Sequence, residues 1–342
     1  MTADGGPAWW RRLAPAAGLF LLAPLIGEFV LGNVPLSGII VLPFYALLYG
    51  TGALLVREVA RRTGGGWPSI VLLAAAYAVI EEGPVDQLLW NDSYAGHDYL
   101  HTASYIPALG TSVAAVQTIL SLHTIWSICV PIAIADAFVP RRDTVPWLGR
   151  AGLAVVAAVF VLDAALVFWA TYEEERFLAS PAQFAGAGVV IAGLVAAALR
   201  LRRLRLGRVA GEAPPAWAAG AAALAVTSLW WGPAVLVADD RYEWAGVAVW
   251  GALVVAGALV VSRWSRRRSW GARHRFALAA GAALTYVWAA FPNVPEVGAG
   301  TPAEQLAGDV VFGAVTVVIL LAAWLRVRAH DRDAAFGGRD PH

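Results

Sequence analysis

The chain has 342 residues, of which 59% are hydrophobic and 14% are charged, and its formal net charge is +1. Soluble domains are about 45–50% apolar and about 25% charged, and one soluble core cannot hide this apolar excess. The composition therefore excludes a soluble enzyme, a secreted disulfide scaffold, a disordered regulator and a dedicated nucleic-acid-binding protein. The single cysteine, Cys129, cannot form an intramolecular disulfide.

Ten apolar stretches are long enough to cross a bilayer as helices, which takes about 20 residues each. Helices are the expected element because unpaired backbone groups are too costly in hydrocarbon. The sequence therefore predicts an all-α, polytopic integral membrane helix bundle with about ten transmembrane helices. The predicted spans are residues 13–32, 36–56, 68–90, 111–138, 149–171, 182–201, 215–237, 243–262, 275–291 and 304–325.

The arginines set the expected orientation, because the positive-inside rule places arginine-rich loops in the cytoplasm. All 25 basic residues are arginines. With the N-terminus inside, all of them except Arg176 and Arg241 fall on the cytoplasmic side. We therefore expect both termini to be cytoplasmic in a multi-pass protein of the cell (plasma) membrane. The arginine clusters at 200–208 and 263–275 are expected to face anionic lipid, so the expected partner is the lipid bilayer and not nucleic acid.

The two halves of the chain differ in character. Residues 1–171 are predicted to form an N-terminal five-helix half that carries the buried ionisable residues. Residues 172–329 are predicted to form a C-terminal five-helix half that is mainly scaffold, because small residues allow close helix packing. Residues 330–342 are short and polar and are predicted to form a disordered cytoplasmic tail.

Five ionisable residues lie inside predicted spans of the first half: Glu28, Glu81, Glu82, His123 and Asp163. A charge at the bilayer centre costs at least about 2.5–3.5 kcal/mol, so such groups usually face a cavity and are paired. At about 1.5 Å per residue, four of the helices each place such a group roughly 20–23 Å from their cytoplasmic ends. These groups are therefore expected to converge at one level of the membrane.

The densest acidic stretch is Glu81-Glu82-Gly83-Pro84-Val85-Asp86. Adjacent carboxylates in a low dielectric repel each other, so one is expected to hold a proton at neutral pH unless a cation lies nearby. That arrangement suits a general base that activates water, or a proton carrier. The Gly-Pro step breaks the backbone hydrogen bonds, and such breaks are tolerated at depth where they line a cavity. The alternative is a structural role, in which each carboxylate bonds to a neighbouring helix.

His123 lies in the following span at a similar depth and is the expected partner of the glutamate pair. A lone histidine in a span is often a hydrogen-bonded packing residue, and that alternative stays open. Glu28, Asp86 and Asp163 are possible further partners of the site, or polar residues that hold helices together.

Other polar residues are assigned to the membrane surface. Arg57, Glu58 and Asp136 lie near the cytoplasmic ends of their spans and are expected at the interface. In the outer loop, His97 and His101 have the i, i+4 spacing of a metal-binding pair if the segment is helical. Two histidines in a polar loop are common, however. No metal site is therefore predicted, and the sequence identifies no cofactor.

Two stretches, AAYAVIEEGPVDQLLWN at 75–91 and HTIWSICVPIAIADAFVPRRDTVPW at 123–147, together resemble an uncharacterised family of prokaryotic polytopic membrane proteins. More distantly, Glu81-Glu82-Gly83 (the EEG box) and the later His123 are similar to the motifs of the CPBP family of CAAX-type intramembrane proteases. In those enzymes a Glu-Glu box and helical histidines activate water within the membrane. The resemblance covers roughly residues 67–148. It implies that Glu81 or Glu82 is the base and that His123 supports the water or the oxyanion, although Asp86 stands where the protease box has an arginine.

These patterns leave three functions open. The first is a membrane-embedded hydrolase or related transferase that acts on a membrane peptide or a lipid-linked substrate, with Glu81, Glu82 and His123 as catalytic residues. The second is a proton- or cation-coupled transporter in which the same carboxylates titrate. The third is a non-catalytic membrane subunit in which the buried polar groups only hold helices together.

Overall fold

The computed structural model describes residues 8–202, 207–236, 240–293 and 300–337. Within these ranges the chain is mainly helical, and the only strands are β1 (Tyr105–Ile106) and β2 (Thr111–Ser112), which pair antiparallel. The α-helices are α1 (Ala8–Pro24), α2 (Leu42–Tyr45), α3 (Thr51–Arg62), α4 (Trp67–Ile80), α5 (Val113–Leu122), α6 (Val130–Phe138), α7 (Arg150–Glu175), α8 (Pro181–Leu201), α9 (Ala216–Leu236), α10 (Glu243–Ser265), α11 (Ala272–Ala289) and α12 (Pro302–Gly337). The all-α class is confirmed.

Seven helical stretches of the described chain are long and apolar enough to cross a membrane. They are Leu36–Arg62, Trp67–Val85, Val113–Phe138, Arg150–Glu175, Pro181–Leu201, Glu243–Ser265 and Pro302–Asp333. A shorter apolar helical stretch, Leu13–Phe29, precedes them. These helices support the prediction of a multi-pass membrane protein, and each of the ten predicted spans overlaps a helical segment of the described chain.

Short π-helical segments interrupt four of the predicted spans, at Leu25–Phe29, Ala46–Gly50, Glu81–Val85 and His123–Cys129. A π-helical turn has hydrogen bonds from residue i to i+5, is rare, and occurs frequently at functional sites. The break predicted at Gly83-Pro84 falls within one of these segments. There α4 passes directly into Glu81–Val85 and ends, since Pro84 has no N–H to donate.

Two large buried clusters of apolar residues form most of the core, and a third, smaller one contains Phe29, Val34 and Phe312. The first joins α1, α3 and α4 to α6 and includes Tyr77 and Ile132. The second joins α1, α6, α11 and α12 around Trp126. The Trp126 ring stacks on Tyr286 at a centroid distance of 4.5 Å, and its Nε1 donates to the Ala282 carbonyl oxygen at 2.8 Å. Helix α11 is therefore part of the core, although it lies in the half predicted to be mainly scaffold.

The remaining helices differ in how much they bury. Helix α9 packs against α11 through glycines, because a β-carbon at Gly281 would overlap the carbonyl oxygen of Gly220. By contrast, α7 and α10 have no buried residue. They expose apolar side chains such as Leu162 and Val255, which is the surface expected of helices that face lipid.

One end of the bundle, where α3 ends and α4 begins, is called the arginine end below. The expectation that Arg57, Glu58 and Asp136 lie at an interface there was wrong. Arg57 and Glu58 are fully buried and Asp136 is 5% exposed. Arg57 Nε donates to Asp136 Oδ1 at 2.8 Å, and the guanidinium lies 3.3 Å from the centroid of the Trp147 ring. The loop between α6 and α7 folds back over these charges and covers them.

Residues 330–337, predicted as part of a disordered tail, are helical in the structure, because α12 continues to Gly337. Residues 338–342 lie outside the described part of the chain. Two ion pairs join the extension to its neighbours: Asp331 pairs with Arg273 at the start of α11, and Asp333 pairs with Arg141 in the loop after α6. The polar composition suggested disorder, whereas these charges have partners at the arginine end.

Candidate functional site

The segments Glu81–Val85 and His123–Cys129 bring the glutamate pair and the histidine together. His123 Nδ1 lies 3.0 Å from Glu81 Oε2, and Nε2 contacts Glu82 Oε1. The side chains are 4%, 4% and 7% exposed for Glu81, Glu82 and His123. These three residues are called the Glu-Glu-His cluster below.

Both carboxylates of the cluster belong to one π-helical turn. Successive side chains of an α-helix diverge by about 100° around the helix axis. A π-helical turn holds more residues, so its neighbouring side chains diverge less. The wider turn therefore lets Glu81 and Glu82 reach the two nitrogens of one ring, and His123 itself begins a second π-helical segment.

Ser127 and Tyr49 complete the surroundings of His123. Ser127 Oγ lies 3.3 Å from His123 Nδ1, and the Tyr49 ring lies at a centroid distance of 5.8 Å from the imidazole. The Tyr49 hydroxyl donates to Glu28 Oε1 at 2.5 Å, and Asn33 Nδ2 donates to Glu28 Oε2 at 3.3 Å. Glu28 is thus linked to the cluster through Tyr49.

The other two predicted partners, Asp86 and Asp163, lie outside the cluster. Asp86 is half-buried, and its Oδ1 accepts the backbone N–H of Leu88 at 3.2 Å just after the π-helical turn. Asp163 is half-buried on α7 and makes no hydrogen bond or ion pair with the described residues. Asp163 was predicted at the same depth as the cluster, but depth along a helix does not determine which way a side chain points around the helix axis.

The cluster contains buried oxygen atoms that it does not pair. The Oε2 atoms of Glu81 and Glu82 are buried and receive no hydrogen bond from the described residues. The Glu81 atom lies at an ion-pair distance from the ring without the alignment of a hydrogen bond. Leaving a buried acceptor unpaired costs free energy, and each such atom calls for an explanation. Glu81 already faces the His123 ring and the Tyr77 hydroxyl, so Glu82 Oε2 is the atom that leaves room for a water, an ion or a substrate group.

The cluster can also move a proton internally. With Glu81 protonated and His123 neutral, the ring Nε2–H donates to the Glu82 carboxylate. Transfer of the Glu81 proton to Nδ1 gives an imidazolium between two carboxylates, with the same total charge. This transfer spans the 3.0 Å between Glu81 Oε2 and Nδ1 and requires a rotation of one side chain, because the two atoms are not aligned as a hydrogen bond. Acid–base catalysis and proton transport both need such a group.

The cluster has the composition of a metal site as well. One ligand atom from each of Glu81, Glu82 and His123 lies within 4.8 Å of the others. Carboxylates and imidazole in a three-ligand set are typical of catalytic zinc, which keeps a fourth position open for water. Here the carboxylates lie at opposite ring nitrogens, so a shared ion requires a rotation of at least one side chain.

The loop histidines do not form the metal pair considered above. The stretch from His97 to His101 is not helical, and His101 Nδ1 pairs with Asp98 at 2.8 Å. The backbone N–H groups of His101 and Leu100 donate to the same carboxylate. These hydrogen bonds hold the pKa of Asp98 below its ordinary value.

Sequence reasoning did not assign Tyr49 or Asn33 to the site. The available signal was the Tyr49 hydroxyl within an otherwise apolar span, since polar groups inside spans are usually paired. Asn33 gave no comparable signal, because it follows the first predicted span in what reads as a connecting turn.

Comparisons with known proteins add no further guide. No family model, no curated protein and no solved structure matches the chain. The resemblance of residues 67–148 to the CPBP family therefore remains an expectation from short motifs. The functional assignment depends on the geometry of the site.

Proposed function

We propose that the protein is a membrane-embedded hydrolase whose catalytic residues are Glu81, Glu82 and His123. The observation that carries the proposal is the position of His123, with one ring nitrogen at each of two buried carboxylates, and with Glu82 Oε2 left without a partner among the described residues. Such a site can accept a proton from water on one side and deliver a proton on the other. Because the cluster lies among apolar helices, its proposed substrate is a membrane peptide or a lipid-linked molecule.

In the proposed reaction, Glu82 Oε2 accepts a proton from water while the water oxygen forms a bond to the substrate carbonyl carbon. The bond from that carbon to the leaving nitrogen or oxygen then breaks. The leaving group takes the proton that Glu81 and His123 hold, and the proton on Glu82 returns through His123 to Glu81. Glu82 is assigned as the base because its other oxygen contacts His123, which leaves Oε2 available.

Hydrolysis in ¹⁸O-labelled water tests this proposal for any substrate whose cleavage yields a carboxylate. The purified protein is reconstituted in liposomes with a membrane extract that supplies both peptides and acyl lipids. Mass spectrometry then detects new carboxylates that carry one ¹⁸O atom. We expect Glu82→Gln and Glu81→Gln to lower the rate by about 100-fold or more, since positioned acids and bases contribute factors of this size.

Asp163→Asn is the matched control, because it neutralises a carboxylate that the sequence placed at the same depth but that lies outside the cluster. Its rate should equal that of the unaltered protein. Undiminished ¹⁸O incorporation in both glutamate variants would contradict the proposal.

A proton- or cation-coupled transporter is the second candidate. It is favoured by the third carboxylate, Glu28, which Tyr49 links to the cluster. Proteoliposomes that enclose a pH-sensitive dye should then show a substrate-dependent pH change, and its absence under every imposed gradient argues against transport. A non-catalytic subunit fits less well, because carboxylates that only hold helices together are expected to have both oxygens paired.

We further propose ten membrane crossings with both termini in the cytoplasm of a cell whose plasma membrane holds the protein. The support is the agreement between the ten predicted spans and helical residues, together with the arginine distribution. Reporter fusions after each predicted span test this arrangement. A reporter after residue 202 that is active only outside the cell would contradict it.

A further inference from the structure

The Glu-Glu-His cluster needs a route for water, because its residues are nearly inaccessible from the surface. A polar cavity of about 220 Å³ lies nearby, where the chain turns after the Leu25–Phe29 segment and where α12 begins. This end of the bundle, opposite the arginine end, is called the loop end. The cavity is lined by Gly32, Phe291, Asn293, Pro302, Gln305, Leu306 and Asp309.

A row of hydrogen-bonded polar side chains runs from the cavity wall to Tyr49, whose ring contacts His123 of the cluster. Asn293 Nδ2, on the cavity wall, donates to Asn33 Oδ1 at 3.0 Å. Asn33 Nδ2 donates to Glu28 Oε2 at 3.3 Å, and Glu28 Oε1 accepts the Tyr49 hydroxyl at 2.5 Å. The Tyr49 ring then lies against His123. Glu28 and Asn33 are only half-buried, unlike the cluster itself.

Gly32 shapes the wall of the cavity closest to Glu28. Its φ is +82°, in the region that favours glycine, and a β-carbon there would lie 2.7 Å from Asp309 Oδ1. The bare backbone of this turn therefore lets the Asp309 carboxylate approach closely. The cavity consequently presents a carboxylate and two amide side chains, from Asn293 and Gln305, around one small space.

Towards the opposite end, the described residues form a cavity between α9, α11 and α12 that is lined almost wholly by apolar side chains. Arg57, Glu58 and Asp136 close that end with buried charges whose carboxylate oxygens all accept hydrogen bonds. A second possible route passes Asp86, which is half-buried beside the end of the Glu81–Val85 segment. The row of polar groups from Asn293 to Tyr49 favours the cavity, and not the Asp86 side, as the route for water.

We propose that the cavity lined by Asn293, Gln305 and Asp309 is the entrance through which water reaches the Glu-Glu-His cluster. The inference rests on the proposed function, which requires water at Glu82. Both asparagines donate through their amide NH₂ groups toward Glu28, so they orient that carboxylate and do not themselves pass a proton. Glu28 in turn holds Tyr49 against His123 and is a positioning residue.

Single-cysteine labelling tests the entrance, because Cys129 is the only native cysteine. In a Cys129→Ala background, the reconstituted protein carries Gln305→Cys, Asn33→Cys, Asp86→Cys or Leu162→Cys. The probe is a cationic, membrane-impermeant methanethiosulfonate added from the loop end. Leu162 is the control, since it is 71% exposed on the apolar surface of α7, where a thiol in lipid stays protonated.

We expect the Gln305→Cys and Asn33→Cys proteins to react at least about tenfold faster than the Asp86→Cys and Leu162→Cys proteins, because only a thiolate in contact with water is reactive. Modification at position 305 should also slow ¹⁸O incorporation. Fast reaction at position 86 with none at position 33 would overturn the entrance, as would an unchanged hydrolysis rate after modification at 305. If no hydrolysis occurs while the labelling pattern holds, the hydrolase proposal fails and the water path stands.

Discussion

Replacing Asp136 with asparagine removes one charge from the buried ions at the arginine end while keeping the shape of the side chain. Asp136 Oδ1 accepts from Arg57 Nε at 2.8 Å, and Oδ2 accepts from Arg61 Nη2 at 3.1 Å. Asp136→Asn therefore leaves two buried guanidinium groups with less compensating charge. We expect the variant to fold with its helices intact and with a clearly lower thermal stability.

The structure sets the expected size of the effect. Breaking a buried ion pair by removing one partner costs about 3–5 kcal/mol, because an uncompensated charge stays buried. Arg57 keeps a contact with Glu58 at 3.4 Å, and the asparagine oxygen still accepts one hydrogen bond. These two features favour the lower end of that range, a loss of about 3 kcal/mol of stability. At about 2 °C per kcal/mol for a large chain, the expected decrease in Tm is about 6 °C.

Thermal unfolding of the purified protein in lipid nanodiscs, followed by tryptophan fluorescence, measures this decrease. All variants are heated at one rate, because unfolding of large proteins is often irreversible and Tm then depends on the rate. Asp333→Asn is the matched control: its ion pair with Arg141 has side chains 65% and 72% exposed, so it should cost about 1 kcal/mol or less. Equal shifts in Tm for the two variants would refute the reasoning.

Two further predictions concern the loop between α4 and α5 and the contact between α9 and α11. Glu243 Oε1 accepts the backbone N–H of Ser104 at 2.9 Å. Glu243→Gln should therefore speed amide hydrogen exchange in the 98–112 loop by about tenfold, which corresponds to the loss of roughly one charge-assisted hydrogen bond. Exchange measured by mass spectrometry that stays unchanged would contradict this prediction. Gly281→Ala should destabilise by about 1–3 kcal/mol, because overpacking forces the helices apart. Gly257, which has open space around it, supplies the control, and Gly257→Ala should leave Tm nearly unchanged. Equal shifts in Tm for the two variants would contradict the prediction, because they would show that α9 and α11 can move apart at little cost.

The membrane helices could be predicted from sequence because a single physical demand sets them. Each segment in hydrocarbon must satisfy its own backbone, so an apolar stretch of sufficient length is a helix wherever it lies. Local signals also indicated the position of the break in α4, since the Gly83-Pro84 step removes a backbone donor there. The extra residue that makes the Glu81–Val85 turn π-helical gave no sequence signal, yet it lets both glutamates face one ring.

Which buried charges meet was only partly predictable. The rarity of charge inside spans drew attention to Glu81, Glu82 and His123, and the structure brings these three together. The same reasoning gave Asp163 and Glu28 equal standing, but only Glu28 is linked to the cluster. The difference depends on rotation about each helix axis, which spans dominated by small apolar residues leave unspecified.

The contrast between two buried acidic groups gives the strongest reason to place function at the Glu-Glu-His cluster. At the arginine end, both oxygens of Glu58 accept backbone N–H groups, and both oxygens of Asp136 accept from arginines. In the cluster, Glu81 and Glu82 each keep a buried oxygen without a hydrogen bond from the described residues. The carboxylate oxygens of Glu58 and Asp136 are thus all paired, whereas Glu82 Oε2 has no partner among the described residues and Glu81 Oε2 has only the His123 ring nitrogen at 3.0 Å. In the proposed reaction Glu82 Oε2 receives the proton of the attacking water, which makes the rate of the Glu82→Gln variant the decisive measurement.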